Sequence, residues 1–149
     1  MADQSHIFAG VAGYFGQPDH PGKVGVFRRA VDGRDWQHVL GAVEAYTVFV
    51  HPGNPEMVFT GTSDGVWRST DAGDHFTQCT QPGQLHSCNC VVQDKRSGHT
   101  NVWYYGTGEH YGLVSAAGFS SQFSGDGIFK STDGGVTWAQ LPSTTSNSP

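Results

Sequence analysis

The side chains able to do chemistry in this chain are Asp, Glu and His residues gathered into a few connecting segments. Tyr14-Phe15-Gly16-Gln17-Pro18-Asp19-His20-Pro21-Gly22 carries Asp19 and His20, and a second long segment carries Glu109, His110 and Asp126. His86 and Asp64 fall in shorter connections. Brought onto one concave surface, His20, His86 and His110 could ligate a divalent cation, zinc or calcium. Such an ion lowers the pKa of its bound water and polarises an ester or phosphoryl oxygen. Glu109, Asp19 and Asp126 would then act as the acid/base groups. Without a metal, a carboxylate pair drawn from Asp19, Asp64, Glu109 and Asp126 could cleave a glycosidic bond. Tyr14, Phe15, Tyr111, Phe119 and Phe123 offer an alternative with no catalysis, an aromatic rim for carbohydrate or protein. No HExxH-like spacing fixes any of these groups on one element, so everything depends on what positions the loops.

The elements that must do so repeat along the chain. Gly65-Val66-Trp67-Arg68-Ser69-Thr70-Asp71-Ala72-Gly73-Asp74-His75-Phe76 aligns with Gly127-Ile128-Phe129-Lys130-Ser131-Thr132-Asp133-Gly134-Gly135-Val136-Thr137-Trp138, and a degraded copy runs from Gly25 to Trp36. Each copy reads as strand, tight turn, strand. An Asp carboxylate accepts N–H groups of its own turn, and glycine takes the positive φ that other residues resist. In the degraded copy Arg29 and Val31 stand where Ser and Asp stand elsewhere, which predicts a turn held by other means. Ahead of each copy lies a strand-like segment closed by glycine: Ile7 to Gly10, Val58 to Gly61, and Trp103 to Gly106. Two of these are preceded by a further strand, Tyr46 to Val50 and Cys88 to Val92.

The pattern Ser-x-Asp-x-Gly-x-x-aromatic resembles the Asp box, or bacterial neuraminidase repeat, of sialidase-like β-propellers. Ser69, Asp71, Gly73 and Phe76 match it, as do Ser131, Asp133, Gly135 and Trp138. The resemblance implies an all-β chain of four-stranded antiparallel blades, about two and three-quarters of them. Residues 6–40 would form an incomplete blade lacking its first strand, 45–79 and 87–141 two complete blades, and 142–149 a polar tail or a strand lent to a neighbour. It implies that the Asp boxes are structural turns. It also implies that the long connections, from Gly10 to Gly25 and from Gly106 to Gly127, meet on the opposite face, where function concentrates. Fewer than three blades cannot close a ring, so the resemblance further implies closure by homo-oligomerisation, a six-bladed dimer in the simplest case, or a fragment of a longer protein. Sialidase activity itself is disfavoured: those enzymes use three arginines, a tyrosine nucleophile and a nearby glutamate, whereas Arg28, Arg29, Arg34, Arg68 and Arg96 mostly fall on strands or turns away from the expected mouth.

Composition agrees with an all-β reading, with 21 Gly, 9 Phe, 5 Tyr and 4 Trp among 149 residues. A net charge of -5 and scattered Lys and Arg argue against nucleic acid or an anionic membrane as partner. The first residues lack a signal-peptide pattern, which reads as a soluble chain that stays in the cytoplasm. Cys79, Cys88 and Cys90 are an odd set and read as small buried thiols, with Cys88 and Cys90 expected on one strand face at their i,i+2 spacing. His38 and His75 are expected on outer strands and His51 and His99 on the far face, as surface residues.

Overall fold

The structure is a computed structural model. It describes residues 5–13, 23–81, 83–84, 87–110, 122–123 and 125–144, with only the backbone at 109, 110, 122 and 123. Strands β1 (His6–Val11), β2 (Gly25–Ala30) and β3 (Gln37–Leu40) form a three-stranded sheet in that order. Strands β4 (Ala45–Val50), β5 (Val58–Thr62), β6 (Gly65–Ser69) and β7 (Thr77–Gln78) form a four-stranded meander. A second four-stranded sheet contains β8 (Cys88–Gln93), β9 (Trp103–Thr107), β12 (Ile128–Ser131) and β13 (Ala139–Gln140). Between β9 and β12, β10 (Glu109–His110) and β11 (Gln122–Phe123) pair as a short ladder. All pairings are antiparallel. The three larger sheets stack face to face, β1 against β4 and β4 and β5 against β8, as consecutive β-propeller blades do. Among the described residues no helix is long and apolar enough to cross a membrane.

The Ser-x-Asp-x-Gly turns hold their blades by local hydrogen bonding. Ser69 Oγ donates to Asp71 Oδ1 at 2.7 Å and accepts from the backbone N–H of Asp71 and Gly73. Asp71 Oδ1 accepts from the His75 N–H at 2.9 Å. Ser131 and Asp133 repeat the arrangement, with Thr137 donating both its N–H and its hydroxyl to the Asp133 carboxylate. Desolvation pushes the Asp71 carboxyl up, but the His75 N–H, the Ser69 hydroxyl and the His75 ring outweigh it and bring it down to about 2. Asp133 follows the same logic, with Thr137 as the chief donor, and also reaches about 2. Each turn is tied to its own blade, since Ala72 N–H donates to Glu56 O at 2.9 Å and Gly134 N–H to Asn101 O at 3.0 Å.

The degraded copy inverts this chemistry. Arg29 Nη1 donates to the carbonyl oxygens of Gly33 at 2.5 Å, Val31 at 3.4 Å and Ala30 at 3.5 Å. A cation satisfying turn carbonyls thus does the work that a carboxylate satisfying turn N–H groups does elsewhere. The Arg29 guanidinium also lies 5.4 Å from the Trp36 ring centroid, in cation–π geometry.

Sheet joins sheet through a repeated contact in which an aromatic side chain of one blade presses on the turn glycine of the next. Phe8 of β1 meets Gly73, where a Cβ would stand 2.6 Å from the Phe8 ring, and Phe59 of β5 meets Gly135 still more tightly. Both glycines have positive φ, 84° and 80°, so any other residue would be strained as well as crowded. The main core lies in the second joint: Phe59, Val66, Cys88, Val91, Trp103, Tyr105, Phe129 and Trp138. Tyr105 stacks on Phe129 at 4.7 Å and Trp103 lies 4.4 Å from Phe59, centroid to centroid. Burying each such ring is worth about 1.5–3 kcal/mol.

Some local expectations change. A β-bulge lies between Cys88 and Cys90, so the two thiols part company: Cys88 is buried and Cys90 exposed, with all three cysteines free. Burial pushes the Cys79 thiol up to about 11 and the Cys88 thiol up to about 12. His75 stands in its turn, not on β7, and its Nδ1 lies 2.7 Å from Asp71 Oδ2. Pro142–Thr144 forms a 3-10 turn that returns to its own blade, where Thr144 Oγ1 accepts from Ile128 N–H at 2.9 Å. Residues 145–149 lie outside the described residues.

Candidate functional site

The loop face is built by one hydrogen-bonded anchor used twice. In the second sheet Thr62 Oγ1 donates to Gly65 O at 2.9 Å and accepts from Asp64 N–H at 3.0 Å, while Gln78 Nε2 donates to Asp64 O at 2.7 Å. In the third sheet Thr107 Oγ1 donates to Gly127 O at 2.9 Å and accepts from Asp126 N–H at 2.7 Å, while Gln140 Nε2 donates to Asp126 O at 2.5 Å. Asp64 and Asp126 therefore hold equivalent places, half-buried, at the same end of neighbouring blades. The first sheet keeps one part of the anchor: His38 Nε2 lies 2.9 Å from Val24 O, so that ring nitrogen carries the proton. His38 is accordingly a structural donor, stacked 4.6 Å from Phe27.

A second group on this face escapes sequence reasoning. Glu44, in the connection between β3 and β4, accepts from Tyr46 Oη at 2.8 Å through Oε2 and from Gly13 N–H at 3.1 Å through Oε1. Its backbone is locked to the β5–β6 turn: Glu44 N–H donates to Ser63 Oγ at 3.1 Å and Ser63 N–H to Glu44 O at 2.9 Å. Glu44 and Asp64 are thereby fixed beside the same turn. Tyr46 sits at the register shift between Ala45 and Thr47, as Asn89 sits at that between Cys88 and Cys90. Bulges re-aim side chains, and here the two inner strands carry matching ones. Asn89 Nδ2 donates to Gly108 O at 2.6 Å, steadying the start of the long connection. The available signal was Glu44-Ala45-Tyr46 at the head of a strand, an acid and a phenol two residues apart.

Of the residues expected to do chemistry, Asp64, Asp126 and the backbone of Glu109, His110 and Phe123 are described. The β10–β11 ladder sets Glu109 opposite Phe123 and His110 opposite Gln122, two residues beyond Thr107 of the anchor. Tyr14, Asp19, His20, His86, Tyr111 and Phe119 lie outside the described residues. Among the described residues no three His, Cys, Asp or Glu side chains gather closely enough to hold a metal ion. Histidines 51 and 99 serve turns: His51 Nδ1 accepts from Gly53 N–H at 3.0 Å, and His99 Nδ1 lies 2.9 Å from Asp94 Oδ2.

The arrangement can present carboxylates, one of them hydrogen-bonded to a phenol, on the rims of stacked blades. Such groups can donate or accept a proton at a glycosidic or ester oxygen. No family model matches the chain, and no curated protein matches it. Among solved structures the chain is similar to an ancestral GH74 enzyme, a β-propeller glycoside hydrolase, at 25% identity over 77% of this chain, with a TM-score of 0.57. The chain spans 15% of that enzyme's length. With its stacked antiparallel sheets and this likeness, the chain is made of β-propeller blades on a fold that hydrolases use.

Proposed function

We propose that this chain is a segment of an Asp-box β-propeller that hydrolyses glycosidic bonds, its loop face forming part of the substrate cleft. The observation that carries the reading is the duplicated anchor, which sets Asp64 and Asp126 at the same end of adjacent blades, with Glu44 tied to the Asp64 turn. The likeness to a GH74 enzyme supports a glycosidic substrate class for this reading. Glu44, Asp64, Asp126 and Glu109 are the acid/base candidates, and Tyr46 is a positioning residue through its bond to Glu44. Further blades complete the ring, supplied in the simplest case by a second copy forming a six-bladed dimer. The outward Val92 and Ile128, 50% and 41% exposed, are surface such a neighbour would cover.

The test is release of reducing ends from a panel of soluble polysaccharides, with solution mass measured on the same preparation. Asp126→Asn or Glu109→Gln should lower turnover by about 10²–10⁴-fold, the usual contribution of an acid/base group. Activity should survive a chelator. Cleavage of ester or phosphoester substrates that is lost on chelation would favour metal-assisted hydrolysis through His20, His86 and His110 instead. Glycan binding without turnover would leave a carbohydrate-binding propeller, and a preparation that neither binds nor cleaves any glycan would end the proposal.

A further inference from the structure

Arg28 and Arg68 occupy the same place in consecutive blades, on β2 and β6, three residues after the glycine that opens each strand. Both face the turn of the following blade. Arg28 is nearly buried: Nη1 donates to Ala72 O at 2.7 Å, and Nη2 donates to Gln37 Oε1 at 3.1 Å and to Asp74 Oδ1 at 2.6 Å, while its Nε has no acceptor. At the next joint the residue matching Asp74 is Val136, and Arg68 makes no side-chain hydrogen bond or ion pair among the described residues. Its Nε, like that of Arg28, is buried without an acceptor, so the two arginines differ at their Nη groups. In front of it lies a cavity of ≈ 240 Å³ lined by Arg68, Thr70, Asp71, His75, Thr77, Gln78, Cys79 and Val136.

We infer that this cavity binds a small carboxylate anion, which takes the place at the second joint that the Asp74 side chain takes at the first. The Nη groups of Arg68 lack the carbonyl and carboxylate that those of Arg28 hold, and a carboxylate is the acceptor a guanidinium matches best. The first joint shows the same Arg position closing on a carboxylate within the same protein. The acid that lines the cavity does not fill the role: both Asp71 oxygens are taken by Ser69, by the His75 N–H and by the His75 ring. The threonine hydroxyls of the lining could supply further donors to a bound anion. The site lies at the Ser-x-Asp-x-Gly end of the blades, opposite the loop face, so it is independent of the proposed hydrolytic cleft. A bound carboxylate would tie the second and third blades together.

The probe is sodium acetate, compared with sodium chloride at equal ionic strength. In a proton–nitrogen spectrum of the arginine Nε–H groups, the Arg68 resonance, assigned from Arg68→Lys, should move and saturate with acetate and stay still with chloride. Acetate should also raise Tm, and Val136→Asp should supply the carboxylate permanently, raising Tm by about 2–4 °C and abolishing the acetate response. An Arg68 resonance indifferent to acetate would overturn the inference. So would an equal acetate-dependent rise of Tm in Arg68→Met.

Discussion

The two joints between blades solve one geometric problem with opposite chemistry. In each, an aromatic ring on the strand just ahead of the repeat rests on the glycine of its neighbour's turn, Phe8 on Gly73 and Phe59 on Gly135. The first joint is then sealed by a charged clamp, with Arg28 reaching Ala72 O and Asp74. The second is sealed by an aromatic core, in which Trp103, Tyr105 and Trp138 close around Phe59 and Val66. The difference shows which feature is indispensable. Ring against glycine sets the approach of the sheets, while the sealing around it can be ionic or apolar.

The largest effect should come from removing the rings themselves. Phe59→Ala should cost about 3–5 kcal/mol, because Phe59 is wholly buried and the cavity opens inside the main core. Phe8→Ala, at a half-buried ring, should cost less than half as much. Chemical denaturation of the two variants checks this, and equal losses would break the contrast between an apolar and a polar joint. A smaller effect should follow from deleting the cations. Arg28→Met should cost about 1–2 kcal/mol, discounted because the Asp74 side chain is 58% exposed. Arg68→Met should be close to neutral in chloride, since no bond is lost. If the two variants destabilise alike under denaturation, the clamp at the first joint is not what seals it.

The smallest effect is acid lability confined to two of the three turns. Asp71 and Asp133 both titrate at about 2 in the folded chain, against an ordinary value of 3.8. A depressed folded pKa contributes stability that is present above 3.8 and is lost as pH falls from there towards 2. Each contribution should be under about 1 kcal/mol, because these carboxylates are close to solvent. Amide exchange should show protection at Gly73 and Gly135 falling across that window, while the Arg29-held turn, where the bonds run from Arg29 to turn carbonyls, keeps its protection. Uniform loss at all three turns would sink the distinction between carboxylate-held and cation-held hairpins.

Much of the scaffold was legible in the chain. Ser, Asp and Gly at fixed offsets identify the turns because only that set closes them with local hydrogen bonds, and alternation sorts buried Val66 and Phe129 from their outward neighbours. What stayed hidden depends on insertions of a single residue and on long side chains. The bulges at Tyr46 and Asn89 leave no mark in a pattern of alternation, so the parting of Cys88 from Cys90 and the aim of Tyr46 at Glu44 could not be read off spacing. Arg29 satisfying three carbonyls was foreseeable only as the absence of Ser and Asp. For the candidate site, residue type points to Asp126 but not to its structural equivalence with Asp64. That equivalence rests on Thr62 and Thr107, which lie at very different distances along the chain from the aspartates they hold.

The paired anchors have a consequence for how such a protein can change. Threonine, aspartate backbone and glutamine clasp the base of the connection identically whether it is a tight hairpin at Ser63 or a segment running from Gly108 to Gly125. The blade therefore behaves as a socket indifferent to the length of what is plugged into it. On the proposed hydrolytic reading, substrate preference could be exchanged by grafting a new segment between Thr107 and Asp126, leaving the architecture beneath untouched.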